Sequence, residues 1–440
     1  MATSSSSSSK LSVLMVGAGE YNCGFVPTKN GAAADKPAGV TGLVLFDLRR
    51  RGIIDRILLA DAIGTRLPQA REAMLNKIGK VYKNMDTTVE SFPNDDVPFD
   101  GEAFIKAMDT MHPGDAVIIF TPDNTHYAIA KTALQKKLHV LVAKPLVKTL
   151  AEHIELEKIA KENNVLLATE YHKRWDPMYN DAKARMLKLG PFSYFYSAMT
   201  QRREQLDTFA GWAGKASDIS YYLNSHHIDI HCWGMEGRGR PIQIVASSST
   251  GIANQRLGRD GIEDTITLMV TWENYPTATV NTPTYGHAIY MSSWSAPTAD
   301  CHTQQKFHYM GHYGEINCDQ AHRGYTFSAD TGEPGGTGAL ATLNPLYMRY
   351  TPDSLGYFAG QNGYGYRSIE AFVDSCRGIQ EHHVTVNDIN NSGSLATANS
   401  TLFVTSILEA GRRSLDAGGK PIRILYSDKE EEKHLPLGFE

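Results

Sequence analysis

Lys144 stands at the end of a short apolar run, His139-Val140-Leu141-Val142, and is followed by Pro145. The run lies inside residues 117–175, where three such runs alternate with two helical patterns. A lysine at the carboxyl edge of a parallel sheet stands close to whatever that sheet binds. If desolvated there, it can exchange a proton near neutral pH, because burial disfavours its charged form. A second chemical signal comes earlier. The run Leu11–Val16 is followed at once by Gly17-Ala18-Gly19-Glu20-Tyr21-Asn22. This is a G-x-G-x-x-N pattern, a dinucleotide fingerprint without its third glycine. Gly17 would make the tight turn, and Gly19 would let the backbone approach a pyrophosphate. Asn22 takes the place that normally permits close helix–strand contact, and Gly24 follows two residues on.

A third signal is Asp61, which ends the apolar run Ile57–Ala60. In a dinucleotide fold an acid there accepts hydrogen bonds from the adenosine ribose and disfavours a 2′-phosphate. Taken alone it reads equally as a turn residue or helix cap. Thr65 and Arg66 follow closely and could reverse the preference, so NADP(H) and NAD(H) both stay open as cofactors.

These residues need a scaffold, and the periodicity supplies one. Residues 27–40 are rich in Gly, Ala and Pro and read as a loop inserted after the glycine turn, with a helix resuming over 41–48. Helices are predicted at 68–80, 104–111, 125–137 and 149–163, and strands at 116–120, 139–142 and 165–169. The β-α-β-α-β order with short connections predicts a doubly wound parallel sheet, an α/β Rossmann domain over 11–170. Beyond about residue 190 the strand-like runs follow one another directly: 192–199, 242–248, 265–272, 278–282, 288–294 and 306–310. That pattern predicts an α+β domain over 171–440 with a large, mostly antiparallel open sheet. Residues 330–345 read as a loop. The helices at about 366–378 and 392–416 should pack back on the first domain. Residues 1–10, MATSSSSSSK, read as a disordered tail.

Composition narrows the function classes. The chain has 440 residues and a formal net charge of -5, which argues against a nucleic-acid surface. Hydrophobic residues make up 42% and charged residues 21%, as in ordinary globular proteins. Five scattered cysteines with no CxxC pair suggest neither a zinc site nor a disulfide framework, and they fit a reducing compartment. No apolar stretch approaches a membrane span or a signal-peptide core. A cytoplasmic protein without membrane or nucleic-acid partners is therefore expected.

Three motifs in order, Thr121-Pro122-Asp123-Asn124-x-His126, His139-Val140-Leu141-x-x-Lys144-Pro145 and Arg174-x-x-Pro177, give the chain a resemblance to the glucose-fructose oxidoreductase / inositol dehydrogenase (Gfo/Idh/MocA) family. The resemblance spans nearly the whole sequence. It implies an NAD(P)-dependent oxidoreductase that moves hydride between nicotinamide and a sugar carbon. It also implies that Glu20, Tyr21, Thr121, Pro122, Asn124, His126, Lys144, Pro145 and Arg174 join Gly17, Gly19, Asn22, Asp61, Thr65 and Arg66 around the cofactor. Lys144 would exchange the proton on the sugar oxygen, or hold that oxygen. Two departures stand out. The family's glutamate before the lysine is here Ala143, and the leading acid of its acid-x-x-x-His-x-x-Asp helix is here Tyr222.

In that helix His226 and Asp229 fall in register. Imidazole has an unperturbed pKa of about 6.5, so His226 can give or take a proton. Tyr222, His226 and Asp229 share one α-helical face by spacing, which would put the Tyr222 phenol beside His226. Asp229 would orient His226 or bind a sugar hydroxyl. His227 or His231 facing the site instead remains open. A metal held by His226, His227 and Asp229 would split its ligands across faces, so no metal is expected.

Tyr171, His172 and Arg174 follow the next strand and become substrate candidates, although Arg174 reads equally as a structural ion-pair partner. Arg203, Lys306 and His308 would favour a sugar acid if they converged, because arginine binds carboxylate in a bidentate manner. Trp212, Tyr221 and Trp294 could stack on sugar faces. The length, the inserted loop and the YHKRWDP segment most resemble the family's uronate reductases, which reduce D-galacturonate or D-glucuronate to the aldonic acid. A dehydrogenase of a neutral sugar, polyol or dihydrodiol is the alternative. A dinucleotide-binding sensor without turnover is another, and a metal-dependent hydrolase a third. The small-molecule substrate would be handled by a homo-oligomer, a dimer or tetramer.

Overall fold

The structure, a computed structural model, describes residues 10–26, 38–278, 280–298, 303–322, 326–329, 339–342, 344, 346–427 and 435–440. Most of the tail (1–9) and of the inserted loop (27–37) lie outside the described residues. Six short strands form the first sheet: β1 (Val13–Val16), β2 (Ile57–Ala60), β3 (Glu90–Phe92), β4 (Ala116–Ile119), β5 (His139–Ala143) and β6 (Leu167–Glu170). Their order is β3-β2-β1-β4-β5-β6, and every pairing is parallel. The runs VLMV, ILLA and AVII are buried at every position, because helices cover both faces of the sheet. The order reverses between β1 and β4, which is where a doubly wound sheet opens its crevice.

The missing third glycine has a physical explanation. Asn22 is buried, and its side-chain amide donates to Val16 O at 3.1 Å and Gly17 O at 2.7 Å. The short helix Glu20–Cys23 then ends at Gly24 in the left-handed conformation. Close contact is supplied instead from the resumed helix, Val40–Arg50: a Cβ on Gly39 or Gly42 would come within 2.4 or 2.7 Å of Asn22 O.

The second sheet has eight strands: β7 (Phe192–Arg202), β8 (Gly239–Thr250), β9 (Glu263–Asn274), β10 (Thr284–Ala296), β11 (Thr303–Gly311), β12 (Gly314–Asp319) and, after a separate two-stranded ribbon of β13 (Thr326–Ala329) and β14 (Ala339–Thr342), β15 (Ile422–Tyr426) and β16 (Pro436–Phe439). Its order is β12-β11-β7-β10-β9-β8-β15-β16. Pairings are antiparallel except between β7 and β10, so the sheet is mixed and mostly antiparallel. Two sequence expectations need correction. The run at 278–282 carries no strand among its described residues, and β14 falls inside the segment read as a loop. The rest of that segment, 330–338, 343 and 345, lies outside the described residues except Asn344.

The last helices return to the first sheet. Tyr366, Ile369, Phe372 and Val373 of the helix Tyr364–Gln380 join the core around Val40, Leu43 and Val44. The helix Ala398–Asp416 fixes the helix Leu150–Asn163 through buried His153, whose ring nitrogens meet Thr405 Oγ1 at 2.7 Å and Ala398 O at 2.8 Å.

Asn22→Ala would leave the Gly17 carbonyl without its donor, while Val16 O keeps its bond from Phe120 N. The expected loss in unfolding free energy is about 1–3 kcal/mol, read by chemical denaturation. An unchanged midpoint would show that Asn22 is not what ties the glycine turn to β1.

Candidate active site

The cofactor crevice forms where β1, β4 and β5 end. Gly17 has φ +97°, and a Cβ there would lie 2.3 Å from Phe120 O, so only glycine fits. Above Gly19 a Cβ would meet nothing within 4 Å, which leaves open space for a pyrophosphate against the backbone. The residues present therefore fit a dinucleotide. Tyr21 stacks on Phe120 with centroids 4.2 Å apart, and its hydroxyl meets Tyr347 Oη at 2.9 Å. Glu20 opens the short helix beside it.

Asp61 is engaged more than expected. Its Oδ2 accepts from Ala18 N at 2.8 Å and its Oδ1 from Ile63 N at 2.9 Å. It thus holds the glycine turn in shape. Thr65 and Arg66 are exposed on the turn that follows.

The expectation that His126 contacts the cofactor is corrected. The ring is buried, and its nitrogens lie 2.9 Å from Thr121 O and 2.9 Å from Pro145 O. His126 staples the ends of β4 and β5 together. Thr121 is steadied by a hydrogen bond from Thr125, 2.7 Å, while Pro122 and Asn124 are exposed at the rim. Pro145 is buried behind a cis Lys144–Pro145 peptide.

Lys144 is half-buried and turns toward the second sheet's helix. Its ammonium donates to Tyr222 O and lies 3.9 Å from the centroid of the Tyr222 ring. The expected Tyr222 phenol beside His226 is not what the chain builds, because residues Ser220–Asn224 form a π-helical turn before the α-helix Ser225–Met235. The extra residue in that turn shifts the register that α spacing assumes. Tyr222 offers Lys144 its carbonyl and its ring face, and packs its edge on Phe209 and Trp212.

His226 lies on the site side. Its ring is 5.3 Å from His172 and 6.4 Å from Tyr171, and its Nδ1 has no partner among the described residues. Burial, then Lys144, Lys173, His172 and His227, push its pKa well below the ordinary value, so it is a neutral imidazole at pH 7. His227 turns the other way and meets Tyr179 Oη at 3.0 Å, and His231 bonds Tyr290 Oη at 2.6 Å.

Arg174 and Asp229 satisfy each other. Nε and Nη2 reach the two carboxylate oxygens at 2.9 and 2.6 Å, with side chains 3% and 0% exposed. This corrects their placement as cofactor or substrate groups: the pair is a buried clamp between the end of β6 and the helix that carries His226. The other cations do not converge either. Arg203 donates to Ser295 O and Ala296 O, His308 meets Glu315 at 2.7 Å, and Lys306 is exposed. Trp294 is buried with Nε1 on Glu263 O, and Tyr221 donates to Lys148 O.

Sequence reasoning missed several neighbours. Lys173, buried, donates to Gln305 and Gln320. Gln320 in turn donates to Asp176 and to Tyr364 Oη, which also accepts from Asn344. Tyr364 stacks on His172 at 5.8 Å. Glu170, at the end of β6, is buried directly beside Ala143 in the parallel ladder. Only the adjacency of Lys173 to His172 in YHKRW was a signal available in the sequence. Among the described residues, no three His, Cys, Asp or Glu side chains converge as metal ligands would. No described helix is long and apolar enough to cross a membrane.

Comparison with known proteins bears on this geometry. Residues 61–171 match the model of the GFO_IDH_MocA oxidoreductase family, NAD-binding Rossmann fold. That segment is of the Gfo/Idh/MocA type. It runs from Asp61 through Lys144 to Tyr171, and the chain has an NAD-binding Rossmann fold. Among curated relatives, an uncharacterized oxidoreductase YdgJ of Escherichia coli is 35% identical over 118 residues, 26% of this chain and 34% of its own. The scyllo-inositol 2-dehydrogenase (NADP(+)) IolW of Bacillus subtilis is 30% identical over 127 residues, 28% of this chain and 35% of its own. The chain thus spans about a third of the length of these relatives. An inositol dehydrogenase homolog from Azotobacter vinelandii, solved with NADH and myo-inositol, shares the fold at TM-score 0.62 and 17% identity, covering 94% of this chain and 97% of its own.

Removing one partner of the buried pair leaves the other charge uncompensated. Arg174→Ala and Asp229→Ala should each cost about 3–5 kcal/mol, and the double variant should cost clearly less than their sum. Additive losses in a denaturation cycle would mean that the two side chains do not act as one unit.

Proposed function

We propose that the chain is an NAD(P)-dependent oxidoreductase of the Gfo/Idh/MocA family that exchanges hydride between nicotinamide and a carbinol carbon of a polyol or neutral sugar. One observation carries this reading. Lys144, His172 and His226 gather at the carboxyl edge of the sheet beside the glycine turn, and the groups around them are amides and phenols more than cations. Gln320, Asn344 and Tyr364 suit hydroxyls, which both give and accept hydrogen bonds. The inositol dehydrogenases among the relatives and structural neighbours point the same way. The domains at 11–170 and 171–440 would divide the labour between dinucleotide and substrate.

When bound, the nicotinamide supplies the hydride acceptor or donor at its C4. The protein's part is binding and proton handling. Lys144, held by the Tyr222 carbonyl and ring, presents its ammonium to the reacting oxygen. Neutral His226 takes the hydroxyl proton as the C–H bond gives up hydride, and returns it in the reverse direction. The sugar-acid reading has less support, because Arg174, Arg203 and His308 are each engaged elsewhere. It now rests on Lys144 and Lys173. The homo-oligomer rests on the outer face of the eight-stranded sheet, where Met269, Tyr285 and Met310 are exposed.

The test is a screen of myo-inositol, scyllo-inositol, neutral sugars, galacturonate and glucuronate with both dinucleotides, followed by nicotinamide absorbance. Turnover should appear with a polyol or neutral sugar. Lys144→Ala should lower it by about 10²–10⁴-fold while the dinucleotide still binds. Turnover with uronates alone would replace the polyol reading. Dinucleotide binding with no turnover in any arm would make the chain a sensor. Asp61→Ser, which loses a contact to Ala18 N, should weaken both dinucleotides; a pure switch of preference would assign Asp61 to the ribose alone.

A further inference from the structure

A carboxyl group that no motif singled out lies against this site. Glu170 ends β6, is 3% exposed and pairs in the ladder with Ala143, the residue before Lys144. Among the described residues, no lysine or arginine forms a salt bridge with it. Ser368 Oγ, from the helix Tyr364–Gln380, donates to its Oε1 at 2.7 Å. The same oxygen lies 3.9 Å from His172 Nδ1. His172 in turn faces His226 at 5.3 Å, Tyr347 at 5.4 Å and Tyr364 at 5.8 Å. A buried acid without a cation is costly unless a proton or a hydrogen-bond partner compensates it.

We propose that Glu170 is a positioning residue that orients His172 and shares one proton with it, forming an acid–imidazole couple at the edge of the site. The couple rests on the activity proposed above only for its use, not for its existence. The 3.9 Å separation is longer than a hydrogen bond, as such contacts often are before ligands close a site. The Nδ1 side of the ring is turned to Glu170, and the ring lies 5.3 Å from His226. Proton movement within the couple changes no net charge, and a proton passed on to His226 would leave a Glu170 carboxylate facing a His226 imidazolium, an ion pair with no net charge of its own.

The surrounding charges are compatible with this assignment. Burial pushes the Glu170 carboxyl up to about 8, with Ser368 pulling it back, so the group is neutral at pH 7. Lys144 and Lys173 act on His226, and Lys173 is held by Gln305 and Gln320. On the helix that carries Ser368, Arg367 and Glu370 pair with each other, and Glu370 also pairs with Arg51. Asp176 accepts from Gln320, and Arg174 is closed by Asp229.

The experiment is infrared titration of the full chain, reading the C=O stretch of protonated carboxyls. Wild type should show a band present at pH 7 and lost near pH 8, absent in Glu170→Gln. In His172→Asn its midpoint should rise by about one unit or more, because the coupled imidazole is gone. Ser368→Ala should raise it too, and serves if Glu170→Gln does not fold. A midpoint that ignores His172→Asn, or no such band, overturns the proposal. With a polyol found active in the screen, the pH–rate profile should show an inflection near pH 8 that Glu170→Gln lacks; a lower rate with an unmoved profile also overturns it. A moved midpoint in a chain that turns over no polyol supports the couple and counts against the activity alone.

Discussion

The buried pair between Arg174 and Asp229 is the contact on which the site's geometry depends. Arg174 belongs to the turn after β6, so it is tied to the sheet edge that ends in Lys144 and His172. Asp229 sits one helical turn after His226. A bidentate bond between planar groups tolerates little rotation or sliding. It therefore fixes how His226 approaches the edge of the parallel sheet. Trp233 lies against the guanidinium at 5.3 Å and keeps water from the pair. Such pairs contribute geometry more than net stability, since desolvation offsets most of their attraction.

Around that clamp, the chain handles two missing acids with local means. Where the family resemblance calls for a glutamate before Lys144, Ala143 leaves space on the strand, and the neighbouring strand places Glu170 beside it. Where it calls for an acid ahead of His226, Tyr222 gives Lys144 a carbonyl and an aromatic face. Neither replacement adds a formal negative charge at pH 7, because burial keeps Glu170 protonated. His226 is held neutral by the same desolvation and by its cationic neighbours. The pocket thus handles protons with few ions, which is economical where water is excluded.

The parallel sheet was legible because strands buried on both faces read as unbroken aliphatic runs. Lys144 was legible because such a run has a definite end. The helix that carries His226 was legible too, since Ser225–Met235 is regular α-helix. What escaped the sequence depended on register or on tertiary partners. The π turn at Ser220–Asn224 looks the same as α-helix in one dimension, so the Tyr222 phenol was placed wrongly. The pairing of Glu170 with Ala143 is a property of two strands separated by a helix. Arg174 could be read either way until Asp229 was found within 2.6 Å. The edge strands β12 and β16, and β15 next to the latter, are short and partly polar, and carry little periodic signal.

The central claim is that the nicotinamide lies where Lys144, His172 and His226 converge. A crystal structure of the full chain with NADH or NADPH tests it most directly. The account predicts the pyrophosphate over Gly19 and the nicotinamide C4 facing the space between Lys144 and His226. A nicotinamide directed away from that space, or a dinucleotide bound outside the β1–β4 crevice, would contradict it.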